Sequence, residues 1–501
     1  MNQTTADEAV RLIPDGATIA TGGFLGAAHP EGLTAALERR FLRTHGPKNL
    51  TILNCAAQGD GDSRGLNHLA HEGLLKRVIA GHWGLTPKLG KLAMENRIEA
   101  YNFPQGVLCQ LLRDIAAGRP GCVTHVGLDT FIDPINQGGK LNARTSEDLV
   151  ERIELRGQTW LCYHTFPINV GLIRATEADP RGNLSVSEEA VIGEVLPIAQ
   201  AVRNHGGIII AQVKRLSDKP LSPHEVAVPG HLVDNIVLAG EGEHDQTFAE
   251  RSNPTLYTAS GGSLNPPDQS TSTTRRIIAN RACNELAKGD VANLGIGLPE
   301  EIATIAAKRG LLESLTLTIE SGPIGGIPLG GLSFGVSIHP QAIVDTPAQF
   351  DFYDGGGLDF SALGAAQVDA SGNVNVSQFS DRMAGVGGFV NISQNVKRLV
   401  FCGTMTTGGL ETRVEDGRLI IKNEGAIQKF VNEVDQVSFS GSLARESGRE
   451  IFYVTERAVF QLNTEGLTLI EIAPVIDLKK DVLEQMQFKP RVGDLKPMQL
   501  D

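Results

Sequence analysis

The sequence predicts an α/β protein built from two related domains in tandem, each with an open, mainly parallel sheet. At 501 residues the chain is too long for one ordinary core. Its 57 glycines and 5% aromatic residues suit many tight strand-to-helix turns better than a β-sandwich. The two halves also repeat each other block by block and in the same order, which indicates a duplicated domain.

The first two blocks of the repeat describe a strand–helix–strand unit. ATIATGGFLGAAHPEGLTAALERRF matches DVANLGIGLPEEIATIAAKRG, and each reads as a strand, a glycine-rich turn and a helix opened by proline, at Pro30 and Pro299. LTILNCAAQG then matches LTLTIESGPIGG, which sets Cys55 opposite Glu320. We therefore expect residues 17–58 and 289–323 to share one topology, with Cys55 and Glu320 at matching strand ends.

Two further blocks and a linker complete the predicted organisation. The blocks pair ADPRGNLSVS (178–187) with VDASGNVNVS (368–377), and VDNIVLAG (233–240) with VDQVSFSG (434–441). Residues 251–274 are rich in Ser, Thr, Pro, Gly and Asn, as linkers are. The predicted domains are 1–255 and 275–501, joined by a linker at 256–274.

Charge and composition exclude several classes of protein. The net charge of −13 argues against general binding to nucleic acid or to an anionic membrane surface. The N-terminus lacks the apolar stretch of a signal peptide, and no aliphatic run approaches the length of a membrane span, so we expect a cytoplasmic protein. The six scattered cysteines fit reduced thiols in a core.

Three familiar motifs are rejected on their context. No GxxxxGK[ST] stretch exists, which argues against a P-loop. HLAH (68–71) offers two histidines without a third ligand, so we expect no metal there. GLSFG (331–335) resembles a nucleophile elbow, but the only later histidine, His339, is too close in sequence to serve its serine.

Glu320 is the strongest candidate for chemistry. It ends the apolar strand LTLTI and is followed by the small residues of SGPIGG, at the strand end where open α/β sheets bind ligands. The second half also carries four glycine-rich segments, NLGIGLP, ESGPIGG, DGGGLD and GVGGFVN. Their backbone N–H groups can bind phosphates or a developing oxyanion, beside which a carboxylate can act as a nucleophile.

These segments resemble the class I CoA-transferases. The resemblance is carried by ESGPIGGIP, FDFYDGGGLDFSALGAAQVDASGNVNVS, GVGGFVNISQ, NFPQGVL and DTFIDP. Over nearly its whole length the sequence is similar to the single-chain acetate/propionate branch of that family. It implies two CoA-transferase-like domains that are fused counterparts of separate α and β subunits. It also implies an enzyme that moves CoA between short-chain carboxylic acids, with acyl-CoA as substrate and no permanently bound cofactor or metal, and a homo-oligomer, either dimer or tetramer.

The resemblance assigns roles to several residues. Glu320 would be the nucleophile of a ping-pong reaction that passes through an acyl-glutamyl anhydride and a glutamyl-CoA thioester, inside a cleft between the two domains that excludes water. Gln105 and the N–H of Gly388 would stabilise the oxyanion. Other residues would contact the substrate. CoA would be contacted by Asn293, Leu294, Gly295, Ile296, Gly297 and Gly387, and the acyl group by Gly22, Gly23 and Phe24. Gln105 as a helix cap, and Gly22 and Gly23 as turn glycines, remain alternatives.

Three charged residues carry open predictions. Where this branch is expected to read GLGTF, the chain reads GLDTF, which places Asp129 near the presumed acyl side. If Asp129 points into the acyl pocket, it would disfavour a second carboxylate or bind a hydroxylated acyl chain. If it faces outward, it has no effect on the substrate. Lys397 and Arg398 follow GVGGF closely. Either one of them lies near the nucleotide end of CoA or both form an ordinary charge pair at a strand start.

Two rival functions remain. A thioester hydrolase would let water attack the acyl or glutamyl intermediate, and a retained nucleophilic Glu320 argues against it. A non-catalytic, sugar-phosphate-sensing module on the same fold would form no covalent adduct and would leave the four glycine-rich segments unexplained.

Overall fold

A computed structural model describes residues 2–259, 272–379 and 382–500. The chain divides into two compact units. Unit 1 comprises Met1–Gly261, Ile319–Asp351 and Ser380–Asn391, and unit 2 comprises Gly262–Thr318, Phe352–Phe379 and Ile392–Asp501. The units thus differ from the predicted linear domains 1–255 and 275–501, because two segments of the second half belong to unit 1. Most of the predicted linker, 256–274, lies outside the described residues.

The described helices and strands are numbered in chain order. The α-helices are α1 Ala6–Ala9, α2 Glu31–Thr44, α3 Pro87–Met94, α4 Gln105–Ala116, α5 Val195–Asn204, α6 Thr273–Cys283, α7 Glu301–Lys308, α8 Thr346–Asp354, α9 Phe389–Asn395 and α10 Gly441–Glu446. The strands up to residue 250 are β1 Asn2–Thr4, β2 Thr18–Thr21, β3 Leu50–Asn54, β4 Leu75–Ala80, β5 Glu99–Asn102, β6 Gly121–Thr124, β7 Val150–Leu155, β8 Gln158–His164, β9 Val170–Ala178, β10 Leu184–Ser185, β11 Ile208–Leu216 and β12 Asn235–Leu238.

The later strands are shorter and more numerous. They are β13 Val291–Leu294, β14 Thr316–Thr318, β15 Pro323–Ile324, β16 Ile327–Pro328, β17 Ser337–Ile338, β18 Ala342–Ile343, β19 Phe360–Gly364, β20 Gln367–Val368, β21 Val374–Asn375, β22 Gln378–Phe379, β23 Arg382–Met383, β24 Arg398–Cys402, β25 Thr406–Thr407, β26 Glu411–Glu415, β27 Arg418–Asn423, β28 Ile427–Gln428, β29 Glu450–Val454, β30 Ala458–Asn463, β31 Gly466–Ile472 and β32 Arg491–Pro497.

Unit 1 is built on a parallel sheet with the strand order β1-β12-β11-β9-β2-β3-β4-β5. The short β10 pairs with β9 in the antiparallel direction. A separate antiparallel sheet, β6-β8-β7, lies between β5 and β9 in sequence. The central strands are aliphatic and buried, as expected for a parallel sheet covered on both faces; residues 170–176 of β9 are all buried.

Unit 2 repeats the parallel core and then changes direction. Its strands β14, β13, β19, β24 and β29 are adjacent and parallel. β30 and β31 continue the sheet as antiparallel neighbours, and β32 pairs with β31 in parallel. The predicted fold class, two mainly parallel α/β sheets in tandem, is confirmed.

The strand–helix–strand repeat is also confirmed. β2, α2 and β3 form one copy and β13, α7 and β14 form the other, with the two strands parallel in each. Apolar residues at helical spacing are buried in both helices: Leu33, Leu37 and Phe41 in α2, and Ile302, Ile305 and Ala306 in α7. Cys55 directly follows β3, and Glu320 follows β14 by two residues.

The third block of the repeat forms the same aspartate turn twice. The Asp179 carboxylate accepts hydrogen bonds from the backbone N–H and side-chain amide of Asn183, both at 2.9 Å. The Asp369 carboxylate accepts the same two bonds from Asn373, at 3.0 and 2.8 Å. Each carboxylate thereby fixes a short hairpin, because a local side-chain acceptor replaces missing ladder bonds.

The fourth predicted match, 233–240 with 434–441, is wrong. The asparagine of each aspartate turn accepts a hydrogen bond from one glycine N–H, Gly230 at 2.9 Å in the first half and Gly441 at 2.8 Å in the second. These glycines are therefore equivalent, whereas the sequence match set Gly441 opposite Gly240. The match was wrong because it rested on a short Val/Asp motif. Residues 233–240 contain β12 (Asn235–Leu238), whose equivalent strand is β29, and β29 begins after residue 441.

Two further observations concern the whole chain. Within the described residues, no helix combines the length and the apolar character needed to cross a membrane. All six cysteines are free and buried, which agrees with the prediction that they are core thiols.

Candidate active site

Glu320 lies in a tight turn of unit 1. The Ile319 N–H donates to the Pro323 carbonyl at 3.0 Å, and the Gly322 N–H donates back to Ile319 at 3.0 Å. At Gly322, where φ is 124°, a Cβ would stand 2.0 Å from the Val344 carbonyl oxygen, so only glycine fits. The side chain of Glu320 is largely buried, since the residue is 8% exposed. The turn thus fixes a carboxylate at a strand end in a mostly dry position.

Two contacts hold this turn in unit 1. The hydroxyl of Thr346 donates to the carbonyl of Ser321, the residue after Glu320, at 3.2 Å. The same segment is tied to helix α4 through an ion pair between Arg113 Nη1 and Asp351 Oδ2, which are 2.7 Å apart. The segment that carries Glu320 is therefore anchored to the helix that begins at Gln105.

Gln105 meets the glycine loop that ends in Gly388. It is the first residue of α4, and its N–H donates to the Gly387 carbonyl at 2.9 Å. The Gly387 N–H in turn donates to Gly81 at 2.7 Å. Gln105 is 2% exposed, and its Nε2 has no hydrogen-bond partner among the described residues. Gly388 follows Gly387 directly and precedes α9. The structure thus brings Gln105, Gly387 and Gly388 together and leaves a buried amide donor unused.

Two residues that support this loop were missed by sequence reasoning. Asn102 accepts a hydrogen bond from the Val386 N–H at 3.0 Å and donates to Gly81 at 2.6 Å, so it links strand β5 to the glycine loop. His82 packs against Gly387; its burial, together with the charge of Arg382, lowers its pKa to about 4 and keeps it neutral. Asn102 stands in the NFPQG motif, which was the available signal, whereas His82 gave none.

Gly22, Gly23 and Phe24 form a strained turn after β2. Gly23 has φ of 125°, and a Cβ there would lie 3.0 Å from the backbone of Ala28. Phe24 is 3% exposed and packs on Phe334, with ring centroids 6.3 Å apart. Because Phe334 belongs to the same inserted segment as Glu320, the structure brings Phe24 and the Glu320 segment into one unit.

A buried glutamine, which the sequence did not single out, holds the Gly22 turn in place. Gln58 Nε2 donates to the carbonyls of Thr21 and Gly23 at 3.0 and 3.2 Å. Its Oε1 contacts Thr21 Oγ1 and lies 2.7 Å from His29 Nδ1. The turn therefore has a fixed shape before any ligand arrives.

The predicted CoA-contacting stretch 293–297 lies in unit 2. Asn293 and Leu294 belong to β13, whose backbone pairs with a strand on each side, and the Gly295 N–H donates to the Ala362 carbonyl at 2.9 Å. The Gly297 N–H donates to Glu300 at 2.8 Å. Ile296 is 48% exposed. The exposed part of this stretch is thus the turn at Ile296, and the first two residues use their backbone in the sheet.

Lys397 and Arg398 lie at the start of a strand, and each forms an ion pair with a carboxylate. Lys397 Nζ lies 2.7 Å from Asp359 Oδ1, and Arg398 Nη1 lies 3.1 Å from Asp290 Oδ2. Arg398 begins β24, whereas Gly295 follows the end of the parallel strand β13 in the same sheet. Lys397 and Arg398 thus lie at the amino edge of the sheet with carboxylate partners, and their predicted contact with CoA stays a prediction.

Asp129 faces an arginine. Its Oδ1 lies 3.8 Å from Arg152 Nη2, which also lies beside Asp133, and its side chain is 39% exposed. The Asp129 N–H donates to Asp133 Oδ2 at 2.9 Å. Asp129 has φ of 59°, a conformation that aspartate tolerates better than most residues.

The rejected motifs have structural explanations. Glutamates bind the histidines of HLAH: His68 contacts both Glu31, at 3.0 Å, and Glu38, and His71 contacts Glu38 at 2.8 Å. The serine of GLSFG, Ser333, lies in a 3₁₀ turn and bonds Thr247 at 2.9 Å. The histidines of HLAH are thus paired with carboxylates, and Ser333 does not stand on a strand-to-helix elbow.

Comparisons with known proteins agree on one family. The family model described as coenzyme A transferase matches residues 3–239. The acetate CoA-transferase YdiF of Escherichia coli K12 is 43% identical over 98% of this chain and 92% of its own length. The caffeate CoA-transferase of Acetobacterium woodii is 44% identical over 99% of this chain and 96% of its own.

A solved structure matches the whole fold. The acyl-CoA transferase YdiF from Escherichia coli O157:H7, in a thioester complex with CoA, superposes with a TM-score of 0.93 at 40% identity, covering 100% of this chain and 96% of that one. Identity at this level over nearly the full length shows the family. This chain belongs to the coenzyme A transferases and is a CoA-transferase.

Proposed function

We propose that this enzyme moves CoA between short-chain carboxylic acids of the acetate type, by a ping-pong reaction in which Glu320 forms the covalent intermediates. The observation that carries the proposal is the position of Glu320, a buried carboxylate fixed in a glycine turn and held in the same unit as Gln105 and Gly387. An ionised carboxylate needs no base to become a nucleophile, but it does need a positioned acyl group.

The bond changes balance without a redox step. A Glu320 oxygen attacks the acyl-CoA carbonyl, and CoA leaves as a thiolate, which gives a mixed anhydride. The thiolate attacks the glutamyl carbonyl and releases the first acid as its carboxylate, which leaves a glutamyl-CoA thioester. An incoming carboxylate reverses these steps and leaves as the new acyl-CoA. The burial of Glu320 protects the anhydride and the thioester from water.

Gln105 is proposed to stabilise the oxyanion. Each attack places negative charge on a carbonyl oxygen, and a preorganised donor in a dry site stabilises that charge strongly. The buried Gln105 Nε2, without a partner among the described residues, is such a donor. We assign the Gly388 N–H the same role, following the family resemblance.

Three further contacts are proposed. The turn at Gly295, Ile296 and Gly297 would contact CoA, and Gly22, Gly23 and Phe24 would line the acyl pocket. The exposure of Ile296 and the fixed shape of the Gly22 turn support these assignments. Whether Asp129, which lies 3.8 Å from Arg152, points into the acyl pocket or faces outward stays a prediction.

The thioester complex of the related YdiF supports a thioester intermediate, and trapping tests it here. The enzyme is incubated with acetyl-CoA and no acceptor, then reduced with borohydride and mapped by mass spectrometry. We expect Glu320 to be converted to the corresponding alcohol. An adduct on any other residue, or none while transfer continues, would contradict the mechanism.

The hydrolase alternative makes a different kinetic prediction. A transferase should release CoA slowly from acetyl-CoA alone and rapidly once a carboxylate acceptor is added, whereas a hydrolase should ignore the acceptor. Because the named relatives act on acetate and on caffeate, the acceptors should include acetate, propionate and caffeate. Equal rates with and without every acceptor would favour the hydrolase.

The last part of the proposal concerns assembly and location. We infer a homo-oligomer, dimer or tetramer, in the cytoplasm, from the family resemblance and the sequence. Light scattering after size exclusion should give a mass of at least two chains, and a monomer would contradict the inference.

A further inference from the structure

Three metal-binding side chains converge inside unit 1, next to the helix that starts at Gln105. Cys55 follows β3, Cys109 lies on α4 one turn after Gln105, and Glu194 precedes α5. Their ligand atoms all lie within 4.8 Å of one another. The three residues are 1%, 0% and 1% exposed. They come from three separate elements, so the cluster is a product of the tertiary fold.

Hydrogen bonding leaves this cluster incomplete. Cys109 Sγ donates to Glu194 Oε1 at 3.4 Å, but Glu194 Oε2 has no hydrogen-bond partner among the described residues. A buried, unpaired carboxyl oxygen costs free energy, whereas buried thiols alone pack as small apolar groups. One buried oxygen of the Glu194 carboxyl group is therefore available to a further partner such as a cation.

We propose that Cys55, Cys109 and Glu194 bind a thiophilic divalent d¹⁰ cation, Zn²⁺ or its probe Cd²⁺, through two sulfurs and one carboxyl oxygen. Such ions favour thiolate ligands and accept three protein ligands with an open fourth position. Binding converts two S–H groups into two metal–sulfur bonds and releases two protons, with no change of oxidation state.

The size and charge of the cluster suit this ion. Sulfurs bound tetrahedrally at about 2.3 Å from zinc stand roughly 3.8 Å apart, so donor atoms within 4.8 Å need only a small movement. Two thiolates cancel the charge of a divalent cation, and one oxygen of the Glu194 carboxylate is the third ligand atom.

Cadmium titration of the full-length reduced protein tests the proposal. We expect one Cd²⁺ per chain to bind at this site, with a sulfur-to-cadmium charge-transfer band and release of two protons. The Cys55→Ala, Cys109→Ala double variant should lose at least about 100-fold in affinity. Cys402→Ala is the matched control, because Cys402 is equally buried but lies in unit 2 and should not affect this binding event. Equal binding by wild type and the double variant would overturn the proposal.

The carboxyl group is tested separately. Glu194→Gln replaces the carboxylate oxygen by a neutral amide oxygen and should bind more weakly than wild type, whereas Glu194→Leu offers no ligand atom and should bind about 10- to 100-fold more weakly than wild type. If these variants fold poorly, the ¹¹³Cd resonance of the wild-type complex gives the number of sulfur ligands directly. A resonance typical of two sulfurs supports the site, and one typical of none refutes it.

Discussion

The first half of the chain orders its central strands β12-β11-β9-β2-β3, and the second half orders the equivalent strands β29-β24-β19-β13-β14. Both halves also form the same aspartate turn and the same glycine contact behind it. The outer strands differ, because unit 1 adds parallel strands β4 and β5 while unit 2 adds the antiparallel β30 and β31. The duplicated part is therefore a five-strand parallel core.

The two cores differ in the residues at equivalent strand and helix ends. Cys55 follows β3 in the first half, and Glu320 follows the equivalent strand β14 in the second. Glu194 directly precedes α5, and Gly388 directly precedes the equivalent helix α9. The residue before each of them is a glycine with a positive φ, 69° in the first half and 54° in the second. Burial raises the pKa of Glu194 to about 7. The same five-strand core thus carries two thiols and a carboxyl group in the first half, and a carboxylate with a glycine loop in the second. The core by itself therefore does not decide the chemistry.

Glu320→Gln should produce the largest effect. It removes the nucleophile and keeps the shape, so we expect transfer to fall by at least about 10³-fold while binding of acyl-CoA persists. Cys55→Ala, at the equivalent strand end, should lower transfer by less than about tenfold, because it removes one buried sulfur and not the proposed nucleophile. If Glu320→Gln and Cys55→Ala lowered kcat by comparable factors, the proposal that only the second half supplies the nucleophile would be contradicted.

A conservative variant sharpens the same comparison. Glu320→Asp keeps the charge but withdraws it by about one methylene, and a misplacement of this size can cost on the order of 10²-fold. Leak hydrolysis should rise relative to transfer, because water can occupy the vacated space. The ratio of CoA released to CoA transferred measures this, and an unchanged ratio would argue against tight exclusion of water.

Gln105→Ala should lower kcat by about 10²- to 10³-fold with little change in KM, since an oxyanion donor acts mainly in the transition state. Gln428→Ala is the control, because Gln428 lies in unit 2 and its side-chain amide donates to the Glu484 carbonyl at 3.0 Å. A change confined to KM would instead indicate that Gln105 binds the ground state.

The paired aspartates test whether the duplicated turns are equivalent in energy. Asp179→Ala and Asp369→Ala each leave partly buried backbone N–H groups without this acceptor, which should cost about 1–3 kcal/mol and lower Tm by several degrees. Asp179 also accepts from the Leu221 N–H at 3.1 Å, so its loss should be the larger. Asp62→Ala, at an exposed site, serves as the reference. A larger loss of stability for Asp369→Ala than for Asp179→Ala would contradict this prediction.

The smallest expected effect concerns the glutamates that follow Pro30 and Pro299. Burial alone would raise the pKa of Glu31, but His68, His29 and the Gly65 N–H outweigh it and lower the pKa to about 2. At Glu300 burial raises the pKa above its usual value. Glu31 therefore stabilises the fold above about pH 4.5 and loses this contribution as the pH falls towards 2, whereas Glu300 becomes less unfavourable on acidification.

Thermal unfolding measured between pH 7 and pH 4 checks these signs. The stability difference between wild type and Glu31→Gln should shrink on acidification, by less than about 1 kcal/mol at pH 4, because most of the change lies at lower pH. The difference between wild type and Glu300→Gln should move in favour of wild type. Shifts of the same sign in both variants would show that the two helix starts are electrostatically alike.

Much of the candidate site was visible in the sequence because its parts are short and local. Glu320 was found from a strand end followed by small residues, and Gln105 and Gly388 from motifs that the family resemblance made specific. Asn102, Gln58 and His82 were missed, since each acts by touching a loop that is distant in sequence. Lys397 and Arg398 were considered for CoA because charge is visible in a sequence, whereas their carboxylate partners, brought close by the fold, are not.

The sequence by itself determined the fold class, the duplicated strand–helix–strand unit and the nature of the nucleophile candidate. Those properties depend on period, turn residues and local order, which neighbouring residues encode. Only the tertiary structure decided which strands are equivalent beyond the third block, and that segments 319–351 and 382–391 pack with the first half. It alone also brought Cys55, Cys109 and Glu194 together. These features depend on contacts between residues far apart in the chain, and the choice among such contacts is made by burial and shape across the whole core, for which no short stretch of sequence carries a sufficient signal.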